Sequence, residues 1–376
     1  MVYKILVIGG AGFIGSHLVD ELLIKNHEIV VYDNLEPQVH GNIHIPPEYL
    51  SKEIHFIQKD IRDKDALKNA LENVDVIFNL AAIVGVGQSM YKIKKYVGVN
   101  SLGTANLLDL LANEPHGVKK LIVASSMSTY GEGKYICEDC GEIFPKIREL
   151  EQLKNKDWEM NCPSCRKKAK PIGTDEYKHQ DCTSIYALTK KDQEKMSLLI
   201  GKTYGINTTA LRLFNVFGSR QALSNPYTGV CAIFSSRLLS NNPPIIYEDG
   251  LQTRDFVHVK DICQALILSM ESDLANNQIF NVGTGIPVSI KKVAEILGKH
   301  INPKIKASIT NKFRPGDIRH CYADISKIST KLGYKPKYAF ESGMKELIEW
   351  VKLQQGKLVD RSKLANEELK AKGLLK

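Results

Sequence analysis

At 376 residues the chain is long enough to bury a full core and to form two lobes. Its 43% hydrophobic and 25% charged residues are ordinary for a globular protein, and no apolar run approaches the ~20 residues of a membrane-spanning helix. The net charge of +9 is scattered: residues after Gln355 carry six Lys/Arg against three acids, residues 134–172 carry nine against seven, and no basic stripe interleaved with aromatics remains for nucleic acid.

Lys4–Ile8 is an apolar run of strand length with no signal-peptide pattern before it, so a cytoplasmic address is expected. Gly9-Gly10-Ala11-Gly12-Phe13-Ile14-Gly15 follows, then a helical pattern with Phe13, Leu18, Leu22 and Leu23 on one side. Strand, glycine turn and helix N-terminus make a phosphate site, because free backbone N–H groups and the helix dipole face the anion. The G-x-x-G-x-x-G spacing differs from the commoner G-x-G-x-x-G, so the context carries the reading. Residues 28–32 read as a second strand ending at Asp33, 18 residues after Gly15. A carboxylate there accepts hydrogen bonds from an adenosine ribose. It repels a 2′-phosphate, and Asn34 and Leu35 supply no cation, which favours NAD over NADP.

Further strands are expected at 54–58, leading to Asp60-Ile61, and at 75–80, ending in Asn79-Leu80-Ala81-Ala82, whose small residues let a dinucleotide lie close. A helix over 100–112 precedes a strand at 119–124 that delivers Ser125 and Ser126. Later come a helix over 186–202, a strand at 208–214 ending at Asn215, a helix over 229–239, a strand at 254–259, a helix over 260–270, a strand at 278–282 and a helix over 340–353. This alternation predicts an α/β fold: a Rossmann-type doubly wound parallel sheet binding ligands at its C-terminal edge, with a smaller C-terminal α/β substrate lobe.

Tyr186 and Lys190 are four apart and share a helix face. An ammonium beneath a phenol favours the phenolate, so Tyr186 can act as a base below its usual pKa of ~10, with Ser126 orienting the substrate oxygen. Between Ser126 and Tyr186 lie Cys137-x-x-Cys140 and Cys162-x-x-Cys165, 21 residues apart. That spacing matches an inserted zinc ribbon, and four thiolates favour structural zinc, with iron as the other occupant. Without export signals the eight cysteines do not suggest a disulfide framework; Cys231 and Cys263 read as small buried hydrophobes.

With these motifs, together with Arg212-Leu213-Phe214-Asn215-Val216-Phe217-Gly218, Arg254-Asp255-Phe256-Val257-His258 and Arg314-Pro315-Gly316-Asp317, the chain resembles an extended short-chain dehydrogenase/reductase of the nucleotide-sugar epimerase/dehydratase family up to about Leu353. The resemblance implies that Gly9, Gly12, Phe13, Ile14 and Gly15 form the pyrophosphate turn, Asp33 and Asn34 meet the ribose, and Asp60 and Ile61 the adenine. It places Leu80, Ala81, Ala82 and Asn100 along the dinucleotide and Lys190 at the nicotinamide ribose. It makes Ser126, Tyr186 and Lys190 catalytic, with Val86, Ser126, Asn215, Arg254, Arg314 and Asp317 meeting a nucleotide-diphosphate sugar. It further implies a homodimer built on the helices at 100–112 and 186–202. The expected organisation is a cofactor domain of residues 1–133 and 173–215 with 254–283 returning to it, a ribbon at 134–172, a substrate lobe of 216–253 and 284–355, and a mobile tail at 356–376.

The related 4,6-dehydratases place acids directly after the catalytic Ser/Thr, and decarboxylating relatives need Glu where Ser128 stands. Met127 and Ser128 supply no carboxyl group, which leaves 4-epimerisation. The runs at 33–41, 87–91 and 221–229 resemble the dTDP-L-rhamnose 4-epimerase branch, which makes dTDP-6-deoxy-L-talose. UDP-glucose or UDP-N-acetylhexosamine is the alternative substrate, and a reductase or 2-epimerase the alternative activity.

Overall fold

Every residue of Lys4–Ile8 is apolar except Lys4, and alternate side chains leave the strand on opposite faces. Ile5 and Val7 enter one hydrophobic core, and Leu6 and Ile8 enter another. Burial on both faces marks the middle of a parallel sheet covered by helices. The computed structural model, which describes residues 1–356 and 360–375, has this strand in a seven-stranded parallel sheet. The order across it is Gln278–Val282, Asn207–Leu213, Lys120–Ser126, Val76–Asn79, Lys4–Ile8, Glu28–Asp33 and His55–Gln58. The winding direction switches between Lys4–Ile8 and Val76–Asn79, which opens a crevice beyond their C-terminal ends.

Helices Phe13–Ile24 and Val259–Glu271 pack together over the first core, which takes Leu18 and Leu22 from one and Ile262 and Leu266 from the other. Gly103–Asn113 and Ile185–Tyr204 cover the opposite face. The helix expected to begin at residue 100 is preceded by a π-type turn, Val97–Leu102, which contains Asn100. Such wide turns displace side chains from regular helical positions and often occur at functional sites.

The second lobe surrounds a third core that includes Phe217, Phe234, Leu297 and Met344. Helices Val230–Leu239, Ile290–Ile301 and Phe340–Leu353 close it. Its small sheet contains Asn215–Phe217, Thr253–His258, Pro287–Ser289 and His320–Cys321. Within the stretch 254–283 expected to return to the cofactor domain, Thr253–His258 pairs with Asn215–Phe217 and sends Phe256 into the third core and Val257 into the first, while Val259–Glu271 packs on the large sheet and Gln278–Val282 joins it.

The insertion is a three-stranded antiparallel sheet of Gly141–Ile143, Lys134–Cys137 and Lys170–Ile172 over a small core with Tyr135, Ile143 and Met160. Buried ions fasten it to the second lobe. Arg148 donates to both Glu248 oxygens at 2.9 and 2.8 Å. The fully buried Arg319 donates to Glu248, to both oxygens of Asp249 and to Glu159 of the insertion. Beside them Trp158 packs on Phe313.

The stretch expected as a mobile tail contains one further helix. Ser362–Ala371 is a helix whose Ala365 and Leu369, one turn apart, are buried, as is Leu375 beyond it. Two apolar positions among Lys and Glu are too few to announce a buried face. Residues 357–359 and 376 lie outside the described residues.

Replacing Arg319 by Ala leaves Glu248 and Asp249 without their shared cation. It is expected to cost about 3–5 kcal/mol, as for other broken buried pairs, read as a lower denaturant midpoint. An unchanged midpoint would show that the lobe and insertion do not depend on this network.

Candidate active site

The glycine turn needs glycine where backbones meet. Gly9 has φ +80°, and a Cβ there would stand 2.9 Å from the Ala81 nitrogen; one on Gly15 would meet the Gly9 carbonyl at 2.3 Å. The close approach leaves the N-terminus of Phe13–Ile24 facing a cleft of about 230 Å³. The cleft is lined by Gly9, Gly12, Phe13, Ile14 and Gly15, by Asp33 and Asn34, by Ile61, and by Leu80, Ala81 and Ala82. The expected dinucleotide residues thus converge on one cleft, apart from Asp60, Asn100 and Lys190.

Those three lie close behind it. Asp60 is held by Arg62 at 2.7 and 2.8 Å and by the Asn34 amide at 2.9 Å, which lowers its pKa to about 2. Asn100 spends its amide on the Ile83 backbone and on Thr189, so it acts through the loop following Val76–Asn79. Lys190 donates to Gln193 at 2.7 Å, and Gln193 donates to the Ala81 carbonyl and Thr104. Gln193, which sequence reasoning missed, links the lysine to the dinucleotide wall. Asp33 accepts from the Ala11 and Leu35 nitrogens, while burial raises its pKa. An anion-accepting helix end, an acid at the ribose position and small residues along the wall fit NAD.

Ser184 caps the helix Ile185–Tyr204, which carries Tyr186 and Lys190, accepting from the Ala187 nitrogen at 3.1 Å. The cap starts the helix so that Tyr186 and Lys190 face the end of Lys120–Ser126. There the Ser126 hydroxyl accepts from the Ser128 nitrogen at 3.2 Å and from the Ser128 hydroxyl at 2.9 Å, and its nearness pulls the pKa of the Tyr186 phenol down. Farther along, Glu194 receives Arg212 through two parallel bonds of 2.9 and 2.7 Å and the Ser125 hydroxyl at 2.7 Å. Arg212 also donates to the Tyr130 hydroxyl. No spacing rule could have paired these residues, which come from a helix, two strands and a turn.

Burial governs the titration of the central pair. It raises the Tyr186 pKa, against the downward pull of Ser126, and lowers that of Lys190 to about 7. The expected lowering of the phenol pKa by the ammonium is not what the chain alone produces: burial raises it, and the downward pull comes from Ser126.

Across the cleft, the Asn215 Oδ1 and the Arg314 Nε are buried without a hydrogen-bond partner among the described residues. Arg314 stacks on the Tyr247 ring at 4.4 Å. Arg254 is occupied, donating to the carbonyls of Thr253, Ile318 and Arg319, with the half-exposed Asp317 at 3.6 Å. It therefore shapes the segment that carries Asp317, while Arg314 retains an unused donor. Val86 is exposed at the start of the short helix Val86–Ser89. An unsatisfied buried polar atom is costly, so the Asn215 oxygen and the Arg314 nitrogen are each free to meet a polar ligand.

Lys190 carries an ordinary pKa of 10.5 when unfolded and about 7 when folded, so between these values the unfolded chain holds the extra proton. The cost is complete below pH ~7 and fades as pH rises toward ~10.5. Lys190→Met should therefore stabilise the cofactor-free protein by about 2–4 kcal/mol near pH ~6, a gain that shrinks toward pH ~10. Denaturant unfolding at both pH values checks this, and equal stabilities near pH ~6 would contradict it.

Residues 5–149 match the NAD dependent epimerase/dehydratase family, and residues 168–347 match the GDP-mannose 4,6 dehydratase family; the stretch between them falls within the insertion. A dTDP-L-rhamnose 4-epimerase from Burkholderia thailandensis is 32% identical over 354 residues, spanning 93% of this chain and 94% of its own. The solved structure of a UDP-N-acetylglucosamine 4-epimerase from Methanobrevibacter ruminantium, in complex with UDP-N-acetylmuramic acid, has TM-score 0.74 and 32% identity, covering 94% of this chain and 99% of that one. A UDP-glucuronic acid 4-epimerase from Bacillus cereus, in complex with UDP-glucuronic acid and NAD, has TM-score 0.74 and 28% identity, covering 93% and 99%. With the glycine turn, the Ser126–Tyr186–Lys190 group and this extent of similarity, the chain belongs to the NAD-dependent epimerase/dehydratase family of nucleotide-sugar enzymes.

Proposed function

We propose that the protein is an NAD-dependent nucleotide-diphosphate-sugar 4-epimerase, with dTDP-L-rhamnose as the substrate and dTDP-6-deoxy-L-talose as the product. The observation that carries the reading is Tyr186 with Lys190 one helical turn away and Ser126 as its neighbour, beside a cleft lined by the glycine turn and Asp33 and suited to NAD. Bound NAD supplies a hydride acceptor and returns the hydride. Tyr186 takes the proton from the C4 hydroxyl and later gives it back, Ser126 orients that hydroxyl, and Lys190 supports the proton transfer. Arg314 and Asp317 anchor the nucleotide diphosphate, and Asn215 the diphosphate or hexose, while the 4-keto sugar turns its other face. Arg254 holds their wall in place.

Met127 and Ser128, immediately after Ser126, support epimerisation over dehydration, since neither bears the carboxyl needed to eliminate water. The three loop runs and the Burkholderia relative favour the deoxyhexose; UDP-glucose and UDP-N-acetylhexosamines are the competing substrates. Tyr186→Phe should lower kcat by roughly 10²–10⁴-fold while sparing NAD binding. Turnover of dTDP-L-rhamnose, UDP-glucose and UDP-N-acetylglucosamine is followed by NMR in tritiated water. A product free of tritium fits return of the substrate's own hydride, and near-normal turnover by the variant would remove the mechanism.

The four cysteines of the insertion are assigned to structural zinc. Cys137, Cys140, Cys162 and Cys165 place their sulfurs within 4.8 Å of one another, near the ~3.8 Å separation that ~2.3 Å Zn–S bonds give in a tetrahedron. One zinc per chain is expected by elemental analysis, with a lower melting temperature after chelation; a metal-free protein of unchanged stability would refute the assignment. Exposed Val97, Leu102, Leu188 and Leu199 on the helices at 97–113 and 185–204 support the homodimer. No helix among the described residues is long and apolar enough to cross a membrane.

A further inference from the structure

The runs at 33–41, 87–91 and 221–229 meet at one edge of the cleft. Gln38 donates to Gln88 and Asn225, each at 3.1 Å, and the Tyr91 and Tyr227 hydroxyls lie 2.6 Å apart. A fourth segment joins them from far along the chain. Glu368, on helix Ser362–Ala371, accepts from Tyr91 at 2.6 Å and from Tyr227 at 2.8 Å. The buried Leu369 lies against Gly87, its δ carbon 3.2 Å from where a Cβ would stand.

The same helix reaches the opposite wall. Asn366 accepts from the Tyr247 hydroxyl at 3.1 Å, and Tyr247 is the ring on which Arg314 stacks. Arg237, on Val230–Leu239, holds the start of the helix through Ser362 at 2.5 Å and Asp360 at 3.6 Å. One helix therefore touches the cofactor domain at Gly87 and Tyr91, and the second lobe at Tyr227, Tyr247 and Arg237.

Resting on the nucleotide-sugar reading above, we propose that helix Ser362–Ala371 is a strap that sets the separation of the two cleft walls, with Glu368 positioning the Tyr91–Tyr227 pair and Asn366 positioning Tyr247 beneath Arg314. A carboxylate receiving two phenols is a charge-assisted contact, stronger than either neutral bond alone. It ties loops from different domains to one point. Without it, a ligand spanning the walls must order them itself, and its apparent affinity falls by the fraction of time the walls are correctly spaced.

The test compares the full-length protein with Glu368→Ala, Glu368→Gln and Asn366→Ala. For Glu368→Ala, KM for the nucleotide sugar and Kd for dTDP should rise about tenfold, kcat should fall much less, and NAD content should stay constant. Glu368→Gln keeps an acceptor and should recover part of the loss. Amide exchange in residues 87–91 and 221–229 should quicken together in Glu368→Ala, although the two segments lie in different domains. Normal KM and dTDP affinity with unchanged exchange would overturn the strap, as would faster exchange confined to the helix. If the wild-type protein turns over no nucleotide sugar while the two loops remain coupled through Glu368, the functional reading fails and the strap stands.

Discussion

The buried pair between Glu194 and Arg212 is the constraint on which the rest of the site depends. Glu194 lies one helical turn beyond Lys190, and Arg212 lies on the strand beside Lys120–Ser126. Their two parallel bonds, joined by the Ser125 hydroxyl, fix how far the catalytic helix can slide along the sheet. Ser125 precedes Ser126, so one ion pair sets the height of the hydroxyl and of the phenol and ammonium that face it. Such a pair adds little net stability over apolar residues of the same shape. What it supplies is a single geometry, because neither ion tolerates losing its partner out of water.

Around that anchor the protein accepts unfavourable electrostatics. Lys190 is buried and donates to the Gln193 amide, Tyr186 is desolvated, and Asn215 and Arg314 each hold a polar atom with no partner among the described residues. The function proposed above gives these features one cause. On that reading each group is arranged for atoms of a cofactor or substrate, and the folded chain bears the desolvation before those atoms arrive. Stability lost here is offset by the three hydrophobic cores and by the saturated ion network around Arg319.

The parts legible in the sequence are those with a local physical signal. Gly9 and Gly15 are demanded by contacts within one turn, the alternation of Ile5, Leu6, Val7 and Ile8 belongs to a central strand, and Tyr186 and Lys190 share a face at helical spacing. The paired Cys-x-x-Cys units likewise bring four sulfurs together as their spacing suggests. What escaped was decided by partners distant in the chain. Thr253–His258 has two apolar residues, Phe256 and Val257, which give no signal of which sheet it joins, and its register with Asn215–Phe217 assigns it. Arg254 reads as a free cation until its guanidinium meets three carbonyls. Ser362–Ala371 has too narrow an apolar face to be noticed without the Gly87 surface on which Leu369 rests.

Lys134 and Ile172 stand opposite each other in the antiparallel sheet of the insertion. The chain therefore leaves the main body and comes back through adjacent positions, as if through a single doorway. Beyond such a doorway, segments that touch nothing else can lengthen or shorten without moving its frame. Arg148, Trp158 and Glu159, which reach the second lobe, mark the part of the excursion that cannot be exchanged so freely.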